Sequence, residues 1–479
     1  MKKRYLVSAI LMVLTFVVSA CQPAVAPTAE TIIQTVVVTQ EVDGETITVI
    51  ETVEVEVEVE VAPGSDLTGS IRVSMWESGD ALEPYNNALA SFQEKYPNVE
   101  VSLEPVPQDY GTKLLADIAA GTPPDVFQLG DGDVSKYVAQ GAVASLDDFI
   151  ASDSDFSMDA FFPGIANFGQ VDGITYLFTK DYSPLVLYFN KDHFAEAGIE
   201  LPTADWTWDD LLDAAQKLTL DGDGNNAQSP DFDSGNIVRW GLQIPAHWGD
   251  LLWLRGTLPI INAGGGSVIS EDGTTVEGYL NSPETIAALQ WYVDLVLTHH
   301  VAPLPEDTAA FGGDQMFQTE IVSMTWTGRW PLKDWQRVPT LNFGTAGIPA
   351  GPAGNANALC WAGFAISSQT ENPDAAWAWL KHVSAEEGAA EFAIYALTAV
   401  QDIARLQGLD TDPYNAPIIA DLANTKPLPE FANPLWGACA AETSYRENIE
   451  LVFLGEQTVQ EAMDTAAAAI QACFDNGGP

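Results

Sequence analysis

The chain has 479 residues, of which 67 are acidic and 19 basic, for a formal charge of −48. Such a surface excludes nucleic acid and anionic membrane as partners held by charge. A hydrophobic fraction of 47% with 14 Trp excludes a disordered chain and, at this length, supplies two domains with their own cores.

Lys2, Lys3 and Arg4 precede an apolar run from Tyr5 to Val18, followed by Ser19-Ala20-Cys21. Basic start, apolar stretch and small residues make residues 1–20 a secretory signal, shorter than the ~20 residues of a spanning helix. The Cys directly after Ser-Ala resembles a lipobox, in which Cys21 is lipidated and anchors the exported chain on the extracytoplasmic face of a bacterial membrane. Residues 21–66 are an acidic, low-complexity linker. Glu54 to Val61 alternates Glu and Val, a strand signal, but its polar face is wholly acidic and like charges extend a chain. The reading is a stalk, with a docking strand as the alternative.

The folded body begins near Leu67. Ile71–Trp76, Val99–Leu103 and Pro124–Gln128 read as strands; Leu82–Tyr96 and Tyr110–Ala120 read as helices. Alternating strands and helices predict an α/β fold with mainly parallel sheets flanked by helices, and ligands at the carboxyl ends of strands. Further helices are predicted over Trp208–Leu218 with Thr207 as N-cap, Pro283–His299, Pro373–Val383 and Ala385–Ala396, with a closing hairpin of Ser444–Leu454 and Val459–Phe474.

With Cys21 lipidated, Cys360, Cys439 and Cys473 allow at most one disulfide. Cys439 with Cys473, across the closing hairpin, and Cys360 with Cys439 are both open. Asp221-Gly222-Asp223-Gly224-Asn225-Asn226 resembles the start of a calcium loop, with Asp221, Asp223 and Asn225 as oxygen ligands. Phe232 stands where the closing Glu of such a loop belongs, so a Gly-rich polar turn competes with a structural calcium. No other cofactor is expected.

Tyr188-Phe189-Asn190-Lys191-Asp192-His193-Phe194, then Ala197-Gly198-Ile199, Pro202 and Thr207-Trp208-Asp209-Asp210-Leu211, resembles a signature of family 1 extracellular solute-binding proteins. These are the carbohydrate-binding components of ABC importers. Gly121–Val126, Phe317–Met324 with Gly328-Arg329-Trp330, Gly363–Ser367 with Asn372–Trp377, and Gly455–Ala462 resemble further family segments in the same order. Glu320, where the family has Gly, and the bulky Cys360-Trp361 pair depart from the pattern. The resemblance implies a two-lobed, type II periplasmic-binding-protein-like fold with a three-strand hinge. Its lobes are residues 67–181 plus 362–400, and 182–361 plus 401–479. The chain then crosses near Asp181, near Trp361 and near Leu397 to Val400. It also implies hinge closure on a sugar, delivery to a permease, and a monomer.

A sugar presents apolar C–H faces and a rim of hydroxyls, so its site needs aromatic plates with carboxylates or amides. The candidates are Trp76, Glu77, Gln128, Asp131 and Asp133 at strand ends, and Asp181, Tyr182, Trp361 and Gly363 at crossings. Trp248, Trp326, Arg329, Trp330 and Trp436 are those of the second lobe. Trp206, Trp208, Trp291, Trp377 and Trp379 are assigned to packing. Competing readings are a binding protein for a polyamine or other cation, a secreted glycoside hydrolase, and a surface lipoprotein without ligand.

Overall fold

The computed structural model describes residues 29–42, 45–58, 66–130, 133–162, 165–243, 254–304, 307, 315–426, 428–433 and 435–479. The chain divides into two units at Ser65/Asp66. In the first, β1 (Ala29–Val42) and β2 (Glu45–Glu58) pair antiparallel along their whole length, Ala29 opposite Glu58 and Val42 opposite Glu45. The acidic stretch is thus not a single extended stalk. Its partner strand precedes it, in the Thr- and Val-rich segment whose β-branched residues suit a ladder.

The second unit opens with β3 (Gly69–Met75), α1 (Glu83–Lys95), β4 (Val99–Pro105), α2 (Tyr110–Ala119), β5 (Val126–Gly130) and α3 (Val134–Ala139). Then come β6 (Leu177–Pro184), β7 (Val186–Asn190), α4 (Trp208–Leu218), β8 (Leu220–Asp221), β9 (Ile237–Gln243) and α5 (Pro283–Leu297). The chain continues through β10 (Val322–Thr327), α6 (Leu332–Gln336), β11 (Phe343–Ala346), β12 (Leu359–Ile366) and α7 (Pro373–Ala385). It ends with β13 (Leu397–Thr398), α8 (Gln401–Gln407), α9 (Asn415–Asp421), α10 (Leu435–Ala438), α11 (Ala441–Phe453) and α12 (Val459–Asp475).

These strands form two sheets, ordered β13-β6-β12-β5-β3-β4 and β8-β9-β10-β7-β11, beside a two-residue hairpin of Gln170–Val171 with Ile174–Thr175. Parallel pairing is confined to β3 with β4 and β5, and to β9 with β10. The strands that carry the chain between lobes run against that core, because each arrives from the far side. The chain leaves the first sheet at Leu185, between β6 and β7, and re-enters it at Leu359, opposite Pro184. Asp181, Tyr182 and Trp361, expected at the crossings, all lie inside the first sheet.

Local chemistry explains the helices. Thr207 and Asp210 form a capping box at α4, as do Thr458 and Glu461 at α12. Leu211, Ala214, Ala215 and Leu218 bury one face of α4, and Trp208 stacks on Trp291 of α5 with centroids 4.1 Å apart. The helix expected from Ala385 to Ala396 shrinks to one turn at Ala389–Phe392, because α7 runs on to Ala385 and the chain then turns extended at Glu386. Cys439 and Cys473 form the disulfide that ties α12 back to the chain ahead of α11; Cys360 is buried apart from it.

At the first crossing Leu185 belongs to neither ladder. The side chain of Asn357, fully buried, supplies what a neighbouring strand would. Its Oδ1 accepts from Leu185 N at 3.1 Å and its Nδ2 donates to Leu185 O at 2.8 Å. Nδ2 also donates to Asp421 at the end of α9, so one amide ties the first two crossing segments to each other and to α9.

Candidate functional site

In a two-lobed α/β fold the cleft between the lobes opens at the carboxyl ends of the parallel strands, here those of β3 and β5. Among the described residues two contacts join the lobes across it. Arg337, just after α6, reaches Glu83 at the start of α1 at 3.2 Å, and α10 packs against α3.

The wall of the first lobe is built around a β-bulge. Ala362 pairs with Asp181 and Gly363 with Thr179, so Lys180 is the extra residue. Neighbouring strand residues normally point to opposite faces; the bulge lets Lys180 and Asp181 form an ion pair. Lys180 also lies 3.5 Å from Glu77 and is 5% exposed. Burial works against its charge, but the two carboxylates outweigh it and hold the ammonium above its ordinary value. Gln128 donates to Glu77 at 3.1 Å, and the Tyr85 hydroxyl lies 2.8 Å from both Glu77 and Gln128. Gln128 is therefore consumed by the nest it organises. Glu77 and Asp181 keep 16% and 13% exposure, two acceptors against one ammonium. Asp133, at the start of α3 and 3.9 Å from Lys136, keeps 48% of its side chain exposed. Trp76 is half-buried, edge-on to Tyr110 at 5.5 Å.

The wall of the second lobe ends in β9 and β10. Gln243 and Thr325 are paired and share a face, which Thr327 continues. The Gln243 amide, the Thr327 hydroxyl and the indole N–H groups of Trp326 and Trp436 are buried without hydrogen-bond partners among the described residues. Such orphans cost ~1–3 kcal/mol each, so Gln243 and Thr327, on one face at the ends of β9 and β10, mark a place where a ligand or water completes them; Trp326 points to the other face of β10 and Trp436 lies on α10. Trp330 is half-buried and lies over Gly328, where a Cβ would come within 1.8 Å of the ring. Only Gly lets the indole lie there.

Several expected site residues do other work. Arg329 is buried: its guanidinium binds the carbonyls of Ala393, Ile394 and Ala396 at 3.0–3.1 Å and Asn415, and its backbone N–H donates to Ser183 at 2.8 Å. It pins the second lobe to the third crossing. Trp361 is 4% exposed, packed on Phe168 at 5.4 Å. Gly363 sits in the bulge, where a Cβ would strike Phe178 O at 2.2 Å, leaving a ligand no approach. Tyr182, next to Asp181 but past the bulge, turns to the face of Trp361. Trp326 and Trp436 are fully buried and offer an N–H rather than a stacking face. Sequence reasoning missed Gln243 and Thr327, whose strand-end positions were the available signal. Asp131, Trp248 and Cys21 lie outside the described residues.

The loop at Asp221 closes on itself. Asp221 accepts from the backbone N–H of Asp233, Asp223 and Asn225, and from Asn225 Nδ2. These bonds, that from Asp233 first, hold its carboxyl down at about 2. Among the described residues no three His, Cys, Asp or Glu side chains converge as a metal site.

Residues 76–390 match the model of the bacterial extracellular solute-binding protein family. An ABC transporter extracellular-binding protein of Pyrococcus horikoshii is 25% identical over 333 residues, 65% of this chain and 67% of that one. The arabinooligosaccharide-binding protein of Halalkalibacterium halodurans is 24% identical over 250 residues, covering 50% and 49%. Among solved structures, the ABC substrate-binding protein of Listeria monocytogenes in complex with cycloalternan superposes with a TM-score of 0.73 at 24% identity, covering 86% of this chain and 100% of that one. Maltose-bound MalE3 of Thermotoga maritima gives 0.70 at 21%, covering 85% and 100%. Both share the two-lobed fold derived above. With two thirds of its length matched in the order its strands and lobes require, the chain belongs to the bacterial extracellular solute-binding protein family.

Proposed function

We propose that the protein is the substrate-binding component of an ABC importer for a sugar or oligosaccharide, delivering it to a membrane permease after lobe closure. One observation carries this reading: buried hydrogen-bonding groups of Gln243 and Thr327, without partners among the described residues, belong to one wall, with the carboxylates of Glu77 and Asp181 on the other. The half-open indoles of Trp76 and Trp330 follow the ends of β3 and β10. A ring with hydroxyls on its rim and C–H groups on its faces satisfies all of these at once. Binding the closed form from both sides is what drives closure. Relatives and structural neighbours named for arabinooligosaccharide, cycloalternan and maltose support the sugar class. In this reading Cys21 carries the lipid that keeps the exported protein beside its permease.

The test is a thermal-shift and calorimetric screen against maltose, maltotriose, arabinooligosaccharides and mannobiose, with spermidine alongside. A ligand at 100 times its Kd adds ~2.7 kcal/mol. A shift from one sugar class is expected. Silence across the sugars with a shift from spermidine would replace the reading with a cation-binding one.

A further inference from the structure

A cavity of about 770 Å3 lies on the other flank of the hinge, along the outer strand β13. Tyr182, which lines it, points to the face of β6 opposite Asp181, and none of the cleft-wall residues Trp76, Glu77, Asp181, Gln243, Thr327 and Trp330 is in its lining. The cavity is therefore distinct from that cleft. Its walls come from Phe162, Ile165 and Phe168 of the first lobe, from Tyr182 and Leu397 in the crossing strands, and from the chain between Ala404 and Leu428. The volume falls within the ~300–1,000 Å3 of small-molecule sites.

The lining indicates the occupant. Its body is aromatic and aliphatic. In a chain with 67 acids and 19 bases, the described lining contains no acid and two bases, Arg405 and Lys426. The Lys426 ammonium makes no ion pair or hydrogen bond among the described residues, and the Arg405 side chain, 70% exposed, rests on Asp402 at 2.8 Å. Of the three hydroxyls in the lining, those of Thr398 and Thr425 are engaged with Val400 N and Leu422 O, which leaves that of Tyr182. The residue is 7% exposed, and its hydroxyl has no hydrogen-bond partner among the described residues. Burial pushes this phenol up to about 12, so it stays a donor. A buried donor and an unmatched ammonium around an apolar chamber fit a ligand with one anionic head and one apolar tail.

We propose that this cavity is a second binding site, for a fatty acid: the acyl chain among Phe162, Phe168, Leu397 and Leu422, the carboxylate toward Lys426, Arg405 and the Tyr182 hydroxyl. It is independent of what the cleft takes.

The experiment is calorimetry of the full chain with dodecanoate below its micellar concentration, with dodecyltrimethylammonium and acetate as comparisons. Saturable, one-to-one binding of dodecanoate is expected, at least ten-fold tighter than the cationic amphiphile, with none for acetate. Arg405→Gln with Lys426→Gln, both at the solvent-facing rim, weakens it at least ten-fold. Leu422→Trp fills the chamber and abolishes it, while an unchanged circular-dichroism melt shows that the fold is kept. No saturable binding, equal binding of the cation, or indifference to both variants would overturn the proposal. So would capture by phosphatidylglycerol vesicles without binding of monomeric dodecanoate, which would assign the cavity to a membrane lipid.

Discussion

Replacing Asn357 with Ala tests whether the hinge is held by one side chain. Asn357 is 0% exposed. Truncation orphans Leu185 N–H and C=O, which met the amide at 3.1 and 2.8 Å, and the N–H of Ala358, which met it at 2.7 Å. Asp421 loses one donor but keeps Asn424 at 2.7 Å and the N–H of Ile348 at 3.4 Å. Three buried orphans at ~1–3 kcal/mol each, reduced where water enters the space, predict a loss of about 3–5 kcal/mol. That is a large share of the ~5–15 kcal/mol by which folded domains are stable. Asn357→Asp keeps the acceptor, removes both donated bonds and sets a second carboxylate against Asp421, so it should cost at least as much. The assay is urea unfolding followed by Trp fluorescence, reading the midpoint at constant slope. A loss below about 1 kcal/mol for the Ala variant, or a wild-type midpoint for the Asp variant, would refute the clasp.

The two tryptophans closest to the hinge should separate. Trp330→Ala is expected to weaken ligand binding at least ten-fold, in line with a lost stacking plate, with little change in the melt. Trp361→Ala, which empties a buried site against Phe168, should cost about 3–5 kcal/mol of stability; the reverse pattern would contradict the assignment. Removing the Cys439–Cys473 disulfide releases a loop with a sequence separation of 34 and should cost about 4 kcal/mol by loop entropy, read as a lowered Tm. His193 is held down at about 4, first by burial and then by Arg239, against an ordinary value of 6.5. Above pH 6.5 it is neutral whether folded or unfolded; between 6.5 and 4 only the unfolded chain takes up the proton. Stability should therefore fall by up to about 3 kcal/mol as pH drops through that window and then level off. A His193→Gln variant compared with wild type over that range isolates the effect, and parallel curves would exclude it. EDTA should leave the melt unchanged, since Asp221 is saturated by N–H donors; a drop would restore calcium to the loop.

The sequence by itself determined the elements, their caps and the order of the family segments. A capping box such as Thr207 with Asp210 needs only neighbours within one turn, and the strand ends that bear the cleft follow from where alternation stops. The fate of individual aromatic side chains was another matter. Trp76 and Trp330 stay half-open while Trp326 and Trp361 are buried, although all lie near strand ends or crossings. Burial depends on which distant strand or helix lies alongside, and nothing within a few residues records that. The bulge at Lys180 is the clearest case. One extra residue in β6 sends Lys180 and Asp181 together into the cleft wall and turns Tyr182 to the opposite face. Periodicity fixes which residues share a face only until a register shift, and the shift is set by the pairing with β12, more than 170 positions along the chain. The same holds for Asn357, whose neighbours in sequence give no hint of Leu185. Its role exists only because the chain changes sheets beside it, leaving a strand's worth of hydrogen bonds for a side chain to supply.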